Sequence, residues 1–330
     1  MPCHARSVFT QRAIVPTVVL AAAAVVLSGC GLFPSPSPEP PEPPAAGTCL
    51  ESRSGALIDR DSVVPCTEEH LLEVVGTVTW DGLDAAIAES DAEGAYNAIT
   101  NGRLAEFDAA MFDACDELNR QVLGIADVSV NGVDATAMDL AAMGPLIEYS
   151  LASREAFLAG DHSTVCAIRW TGFDNEERTV AYPDGITLAN YADPEFPTDL
   201  HVCATSADTV NTFVDCAEAH DSQQVLSFQG IQTVGAEWIA TVNPADLSVP
   251  DYTVPDAVCA DLVAQAFPAL AAGGWVVWSN IFTGSSGWDG FDGTVDPEAG
   301  YYFSCDLNAP DDATVIIGDA FSGTAVIAPR

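Results

Sequence analysis

The chain contains no lysine, and its ten basic residues, all of them arginines, face 48 acidic residues. The formal net charge is therefore −38 at pH 7. A charge of this size and sign repels the phosphates of DNA and RNA and the surfaces of anionic lipids, which argues against a nucleic-acid partner. The lack of lysine also excludes a catalytic base or nucleophile of that type.

Several catalytic and metal-binding motifs are missing as well. The sequence has no G-x-S-x-G nucleophile elbow, no H-E-x-x-H helix, no P-loop and no C-x2-C pair of the kind found in zinc knuckles. We therefore predict no catalytic residue and no cofactor, and we expect a protein that is not an enzyme.

The first thirty residues have the form of a bacterial lipoprotein signal peptide. Arg6 and Arg12 precede an apolar run over residues 13–26, which is shorter than the ~20 residues of a membrane-spanning helix. The run leads to LSGC at residues 27–30, a lipobox, so we expect cleavage before Cys30 and attachment of lipid to its thiol. This predicts a protein anchored in the cell membrane through its lipid, on the extracytoplasmic face.

A proline-rich stretch follows the predicted anchor and reads FPSPSPEPPEPPAAG over residues 33–47. Alternating prolines cannot form a helix or a central strand, and they favour the polyproline II conformation. We therefore interpret residues 1–29 as the signal peptide and residues 30–47 as the lipidated cysteine with a proline-rich tether.

The remaining eight cysteines occur in two sets with the same order. Each set has an isolated cysteine, a C-x3-H element, a cysteine in a helical pattern and a final cysteine: Cys49, Cys66, Cys115 and Cys166, then Cys203, Cys216, Cys259 and Cys305. The flanks of the C-x3-H elements are also similar, VVPCTEEHLLEVVG against FVDCAEAHDSQQVLS. We predict a duplicated domain, with repeat 1 at residues 48–172, a connector at 173–198, repeat 2 at 199–308 and a C-terminal hairpin tail at 309–330.

Strand and helix patterns mix within each repeat. In repeat 1, β-branched stretches predict strands at 73–80, 146–151 and 164–170, and apolar steps of three and four residues predict helices at 83–99 and 103–122. Repeat 2 keeps the order, with strands at 224–228, 275–281 and 301–306, a helix at 256–267, and a tail hairpin at 314–317 and 324–327. Because strict β-α-β alternation is missing, the predicted fold class is α+β, as two tandem disulfide-stapled α+β domains.

The cysteines and the motif histidines, His70 and His220, allow two interpretations. An even number of thiols outside the cytoplasm predicts disulfides, and pairing between neighbours would join Cys49 to Cys66, Cys115 to Cys166, Cys203 to Cys216 and Cys259 to Cys305. Alternatively, Cys66 with His70 and Cys216 with His220 could each supply half of a tetrahedral zinc site. Four cysteines per repeat and no C-x2-C pair favour disulfides, although four cysteines still allow three pairings.

A group of aromatic residues lies in repeat 2: Trp275, Trp278, Trp288, Tyr301 and Tyr302. Burial in the core and a platform that stacks against a sugar both remain open, and burial in the core is the simpler interpretation.

Repeat 1 carries a recurring set of motifs: Cys49, then Cys66 and His70 followed by Glu73 and Val74, then Phe157, Gly160 and Asp161 before Cys166. With these motifs, residues 47–170 resemble the septum-formation-related domain of actinobacterial envelope proteins. Repeat 2 departs from the pattern, because Gln223 stands where Glu73 stands and an insertion separates Trp288 from Cys305. The resemblance implies an envelope protein associated with septum formation, and it implies no particular chemistry.

These observations predict a lipid-anchored binding or scaffolding module of the cell envelope, linked by the resemblance to septum formation and cell division. The expected partners are the membrane, reached through the lipid, and an envelope protein or cell-wall component. Two alternatives remain: a metal-binding protein or metal-dependent enzyme that uses the C-x3-H elements, and a lipoprotein that binds a small ligand.

Overall fold

A computed structural model of the protein describes residues 42–54, 57–136, 144–171, 177–207, 210–229, 253–283, 301–311 and 313–330. The predicted signal peptide, Cys30 and most of the tether lie outside these residues. In the part of the chain that is described, no helix combines the length and the apolar character needed to cross a bilayer.

Repeat 1 forms an antiparallel sheet of five strands with helices packed against it. Its elements in chain order are β1 (Cys49–Leu50), β2 (Arg53–Ser54), β3 (Leu57–Ile58), β4 (Val63–Val64), β5 (Leu72–Val78), α1 (Leu83–Thr100), α2 (Ala105–Val122), β6 (Ser129–Val130), β7 (Val133–Thr136), β8 (Gly144–Leu151), α3 (Arg154–Leu158) and β9 (Thr164–Thr171). The strand order across the sheet is β4-β1-β5-β9-β8. The central strands β5 and β9 are the β-branched stretches of the sequence, which suit a pleated surface buried on both sides.

Two short 3-10 helices, Leu188–Asn190 and Thr198–Leu200, precede the first strand of repeat 2. Its elements, with those of the tail, are β10 (Cys203–Ala207), β11 (Val210–Val214), β12 (Ala219–His220), β13 (Ser222–Gln229), α4 (Thr253–Ala266), α5 (Pro268–Ala271), β14 (Val276–Thr283), β15 (Tyr301–Asn308), β16 (Thr314–Ile317) and β17 (Val326–Pro329). The path of strands through its sheet is β11-β10-β13-β15-β14. Helices and sheets therefore occur together in both halves of the chain, as predicted for an α+β fold.

The two sheets share their register as well as their strand order. Glu73 of β5 lies opposite Cys49, and Gln223 of β13 lies opposite Cys203. Both central strands also carry a β-bulge immediately before the residue that faces the last cysteine of the repeat. A bulge adds one unpaired residue and re-aims the strand, so its recurrence at one position is a specific feature. The two sheets therefore agree in strand order, register and bulge position, and the division into two tandem domains stays a prediction.

One long helix packs on each sheet and is tied to it by a disulfide. Phe107, Met111 and Cys115 of α2 are buried, and they recur at the four-residue steps that predicted this helix. Cys115 is bonded to Cys166 on β9, and in repeat 2 the helix α4 is bonded to β15 through its own cysteine. The disulfides thus fix each helix to the central part of its sheet.

The inner faces of the two sheets contribute to one hydrophobic core. Trp170 of repeat 1, Leu188 of the connector and Leu262 of repeat 2 all belong to it. In addition, strand β7 of repeat 1 pairs with β13 of repeat 2, where Thr136 lies opposite Ser227. The repeats are therefore joined by packing and by strand pairing, and the described residues fall in one compact unit. The boundaries at residues 172 and 199 remain predictions.

A small hairpin of β2 and β3 covers the outer face of the repeat 1 sheet. Its Ile58 packs in a second core with Leu50, Leu71, Leu72, Val74, Val165 and Ala167. In repeat 2, the strands that correspond to β1 and β4 are β10 and β11. These two strands pair from Cys203 opposite Val214 to Ala207 opposite Val210. Only two residues therefore separate β10 from β11, which leaves no room for a hairpin like that of β2 and β3.

The tail forms the predicted hairpin, but its second strand begins at Val326 and not at Thr324. The N–H groups of Thr324 and Ala325 both donate to the carbonyl of Asp319 at 3.2 Å. These bonds hold the two residues in the turn and delay the start of β17.

Candidate functional site

The four disulfides join Cys49 to Cys66, Cys115 to Cys166, Cys203 to Cys216 and Cys259 to Cys305. These are the neighbouring pairs expected from the sequence. A metal is bound by thiolates, and a sulfur in a disulfide is not a thiolate, so Cys66 and Cys216 are not ligands in this state. Among the described residues, no three His, Cys, Asp or Glu side chains are grouped so that they could hold a metal ion.

His70 and His220 close the two C-x3-H loops in the same way, and both are fully buried. The ring Nδ1 of His70 donates to the Glu68 carbonyl at 3.0 Å, and that of His220 donates to the Glu218 carbonyl at 2.9 Å. The backbone of His70 pairs with Val180, and the backbone of His220 pairs with β16. Each loop is therefore held against the chain that follows its repeat.

Burial favours the neutral form of both motif histidines, because it lowers the pKa of each ring. Burial lowers the pKa of His70, and the bond to the Glu68 carbonyl offsets only part of that effect. Burial also lowers the pKa of His220, although the hydrogen bond to the Glu218 carbonyl and the charges of Asp319 and Asp221 act in the opposite direction. The other ring nitrogen, Nε2, is buried in each case and meets no donor within the described structure. Each imidazole is therefore buried and bonded to its own loop, which indicates that these histidines stabilise the loop.

Glu73 links the repeat 1 sheet to the connector. It is 2% exposed, and its two carboxylate oxygens accept from the backbone N–H of Leu188 at 3.1 and 2.9 Å. The hydroxyl of Tyr182 also bonds the carboxylate, and the indole N–H of Trp170 donates to that hydroxyl at 3.0 Å. Burial raises the pKa of Glu73 to about 7, although these hydrogen bonds act in the opposite direction.

Gln223 has the corresponding place in repeat 2 and is also fully buried. Its Oε1 accepts from the N–H of Ala320 at 2.8 Å, and its Nε2 donates to Asp319 Oδ1. The second oxygen of Asp319 bonds Nδ1 of His201 at 2.9 Å, and Nε2 of His201 faces the Tyr191 carbonyl at 2.9 Å. Both ring nitrogens of His201 therefore lie within hydrogen-bond distance of an acceptor.

The carboxylate of Asp319 is stabilised by these neighbours. Burial alone would raise the pKa of Asp319, but the hydrogen bond and charge of His201, with bonds from Gln223 and the Ser322 N–H, lower it below its ordinary value. In repeat 1 the buried carboxylate is on the strand, whereas in repeat 2 it is on the turn of the tail. This accounts for the change from Glu73 to Gln223, because a second carboxylate at position 223 would face Asp319.

The motif residues before Cys166 also have structural roles. Phe157 is fully buried at the end of α3 and packs against Tyr96 with ring centroids 5.3 Å apart. Gly160 has φ of +103°, a conformation that glycine adopts without a steric penalty. Asp161 then accepts from Arg60 at 2.9 Å and from the Ser163 N–H at 3.0 Å. The motif thus ends α3 and fixes the loop between β3 and β4.

The aromatic residues of repeat 2 divide into two environments. Trp275 packs against the shared core, and its indole N–H donates to the Leu270 carbonyl at 2.7 Å. Trp278 on β14 is 50% exposed, so the expectation of core packing is wrong for this residue. Trp288 and the side chains of Tyr301 and Tyr302 lie outside the described part of the structure.

Sequence reasoning missed Tyr182 of the connector, which bonds Glu73, and Asp319 of the tail, which bonds Gln223. It also missed His201, which bonds Asp319. No sequence signal indicated these partners. Each C-x3-H loop pairs through its backbone with a segment that follows its repeat, and this pairing is visible only in the structure. The N–H group of Leu188 donates to Glu73, and that of Ala320 donates to Gln223. Such backbone donors have no signature in a sequence.

No protein-family profile, no curated protein and no solved structure matches this chain. The likeness to septum-formation-related domains rests on the motif residues described above.

Proposed function

We propose that this protein is a binding or scaffolding module of the cell envelope, anchored at the extracytoplasmic face of the membrane through lipid on Cys30. The observation that carries the proposal is the two disulfides in each half of the chain. One joins the C-x3-H loop to a strand of the sheet, and the other joins the long helix to the sheet. Disulfides form and persist outside the cytoplasm, and they keep a small framework rigid. A rigid framework presents a fixed surface to a partner, so binding does not incur the entropy cost of ordering that surface.

The buried polar groups support binding over catalysis. His70 and His220 are fully buried and bond the backbone of their own loops. Asp319 is also fully buried, and it bonds His201 and Gln223. A general acid or base must reach the proton that it transfers, within hydrogen-bond distance or through one water. These groups instead connect each sheet to the segment that follows it.

The charge and the tether suit a module that stands away from the membrane. A net charge of −38 is repelled by anionic lipid surfaces. A polyproline II tether over residues 33–47 would span about 46 Å, at about 3.1 Å per residue.

Membrane anchoring is tested by fractionating cells that express the tagged chain. The wild type is expected in the membrane fraction, and Cys30→Ala is expected to lose lipid and leave that fraction. Cys3→Ala is the matched control, because this cysteine lies in the predicted signal peptide and its loss should leave the anchor intact. Retention of Cys30→Ala in the membrane fraction would refute the lipid anchor.

The septal part of the proposal is tested by imaging a C-terminal fluorescent fusion in dividing cells. Enrichment at the septum, together with recovery of an envelope partner after cross-linking, is the expected result. An even distribution around the cell would remove the link to septum formation and leave the general envelope role.

The metal alternative is tested by mass spectrometry of the whole chain after thiol alkylation, under native and denaturing conditions. The expected result is that none of the eight cysteines in the repeats reacts. Alkylation of Cys66 or Cys216 together with retained zinc would replace the proposal by metal chemistry at His70 and His220.

A further inference from the structure

One face of the small sheet in the tail is apolar and open to solvent. The sheet consists of β12, β16 and β17, and its register places Ile317 of β16 between Ala219 and Val326 on the two neighbouring strands. Residues directly opposite one another point to the same face, and so does every second residue along a strand. Five apolar side chains therefore share this face, which we call the tail patch: Ala219, Val315, Ile317, Val326 and Ala328.

The two faces of this sheet differ in burial. On the inner face, His220 and Ile316 are fully buried. On the outer face, Ile317 is 41% exposed, Val326 is 57% exposed, and Ala219 is exposed as well. Single apolar side chains are ordinary on a protein surface, whereas a contiguous group of them marks an interaction site. The tail patch is such a group, because its members are neighbours across and along the strands.

The equivalent surface of repeat 1 shows that the fold does not require apolar residues at this place. There the C-x3-H loop meets the connector through an isolated bridge of His70 with Val180. The exposed residues that flank this bridge are Glu69, Thr179 and Ala181. The corresponding positions of the tail patch are all apolar and larger along the second strand. Since an open surface at this place can be polar, its apolar character in repeat 2 indicates a partner.

Carboxylates lie beside the tail patch, and the basic residue next to it is already paired. Glu218 precedes Ala219 and is exposed, and Asp311, also exposed, precedes β16. Arg330 follows β17, and its guanidinium forms an ion pair with Asp221. The chain as a whole has a net charge of −38. An occupant therefore meets an apolar centre in a negative field, which favours basic groups around an apolar segment.

We infer that the tail patch binds a partner protein through an apolar segment flanked by lysine or arginine residues. The apolar side chains of this segment would cover Ile317 and Val326, and its cations would approach the carboxylates beside the patch. Protein interfaces typically have an apolar centre and a polar rim of this kind. A second copy of the chain is disfavoured as the occupant, because two molecules with a charge of −38 repel each other.

This inference rests on the proposed binding module and gives it a class of partner. Peptide binding by the purified protein depends neither on the lipid anchor nor on septal location. Failure of the peptide test would therefore leave the fractionation and imaging results intact, and failure of those tests would leave the binding by the tail patch intact.

The test measures binding of a fluorescein-labelled peptide of alternating leucine and lysine to the purified full-length protein, by fluorescence anisotropy in a nonionic detergent. We expect saturable binding that weakens as salt is added, because salt screens the attraction between exposed charges. Ile317→Ser and Val326→Ser should each weaken the binding about tenfold, the effect of losing one buried aliphatic side chain. A peptide with serine in place of leucine should bind more weakly, and so should one with glutamate in place of lysine.

Val63→Ser is the matched control, because Val63 on β4 of repeat 1 has the same exposure as Val326, at 57%. Its affinity for the peptide should equal that of the wild type, and circular dichroism should show that all variants are folded. Absence of saturable binding overturns the inference. Unchanged affinity in both Ile317→Ser and Val326→Ser also overturns it, since the peptide would then bind by charge alone, and so does equal binding of the glutamate peptide.

Photo-cross-linking in cells distinguishes the possible occupants. A photo-cross-linking amino acid in place of Ile317 is expected to capture a protein whose cross-linked segment carries lysine or arginine beside apolar residues. The same amino acid in place of Val63 should not capture that segment. Capture of a lipid, of a second copy of this chain or of an acidic segment at position 317 overturns the inference.

Discussion

Replacement of Glu73 by glutamine tests the buried network that joins β5 to the connector. Glu73 is 2% exposed, and burial raises its pKa to about 7. Since the ordinary pKa of a glutamate is lower, at 4.5, folding raises the pKa of this carboxyl group. The stability that it contributes is fully present below the unfolded value and is lost as the pH rises through about 7.

The size of this effect follows from the two pKa values. Between the reference value of 4.5 and the folded value of about 7, each pH unit changes the free energy of unfolding by about 1.36 kcal/mol. The wild type therefore loses about 3 kcal/mol through this group on going from pH 4.5 to pH 8. Glutamine has no charge to bury, and its amide oxygen can still accept from the Leu188 N–H.

The assay is urea unfolding at a series of pH values, with the disulfides intact, followed by tryptophan fluorescence. The free energy of unfolding of Glu73→Gln minus that of the wild type should rise by about 3 kcal/mol across this range, since other carboxyl groups cancel. Glu69→Gln removes an exposed carboxylate from the C-x3-H loop that precedes β5 and controls for the change in net charge. A difference that stays constant or falls with pH would refute the assignment of a neutral, buried Glu73.

Three further predictions concern stability, each measured by urea unfolding. Gln223→Glu should lower the free energy of unfolding by about 3–5 kcal/mol at pH 8, because two buried carboxylates would meet at Asp319. This loss should shrink near pH 5, where a protonated carboxyl group can donate to Asp319. An equal loss at both pH values contradicts the prediction. Replacing Cys259 and Cys305 by alanine opens a separation of 46 residues, so the loss should be about 4 kcal/mol on the chain-entropy model, and an unchanged midpoint would contradict the staple. Asp161→Asn removes the charged acceptor of a mostly buried arginine and should cost about 2 kcal/mol, whereas a neutral effect would show that the ion pair is dispensable.

The elements that could be predicted from the sequence are those with a long periodic pattern. Helix α2 repeats its apolar residues over several turns, and the strands β5 and β9 are runs of β-branched residues. The short strands β2 and β3 have two residues each, too few to show any period. The pairing of β7 with β13 depends on contacts between distant parts of the chain, which no local pattern records.

The candidate site was predictable only for its side chains with unusual chemistry. The cysteines and the two motif histidines stand out by type and spacing, whereas their partners come from irregular segments. Leu188 takes part through its backbone, and Asp319 is one of 48 acidic residues, so neither could be distinguished beforehand. Trp278 was identified as an aromatic residue, but its exposure depends on the face of β14 to which it points.

The order of the disulfides has a consequence for how the protein matures. Eight cysteines allow 105 pairings, yet every bond here joins a cysteine to the next one along the chain. On the proposed route of export from the N-terminus, each second thiol of a disulfide emerges when its native partner is the only one of these eight cysteines that is still reduced. Oxidation that keeps pace with export then produces the native set directly, without a reshuffling step by a disulfide isomerase.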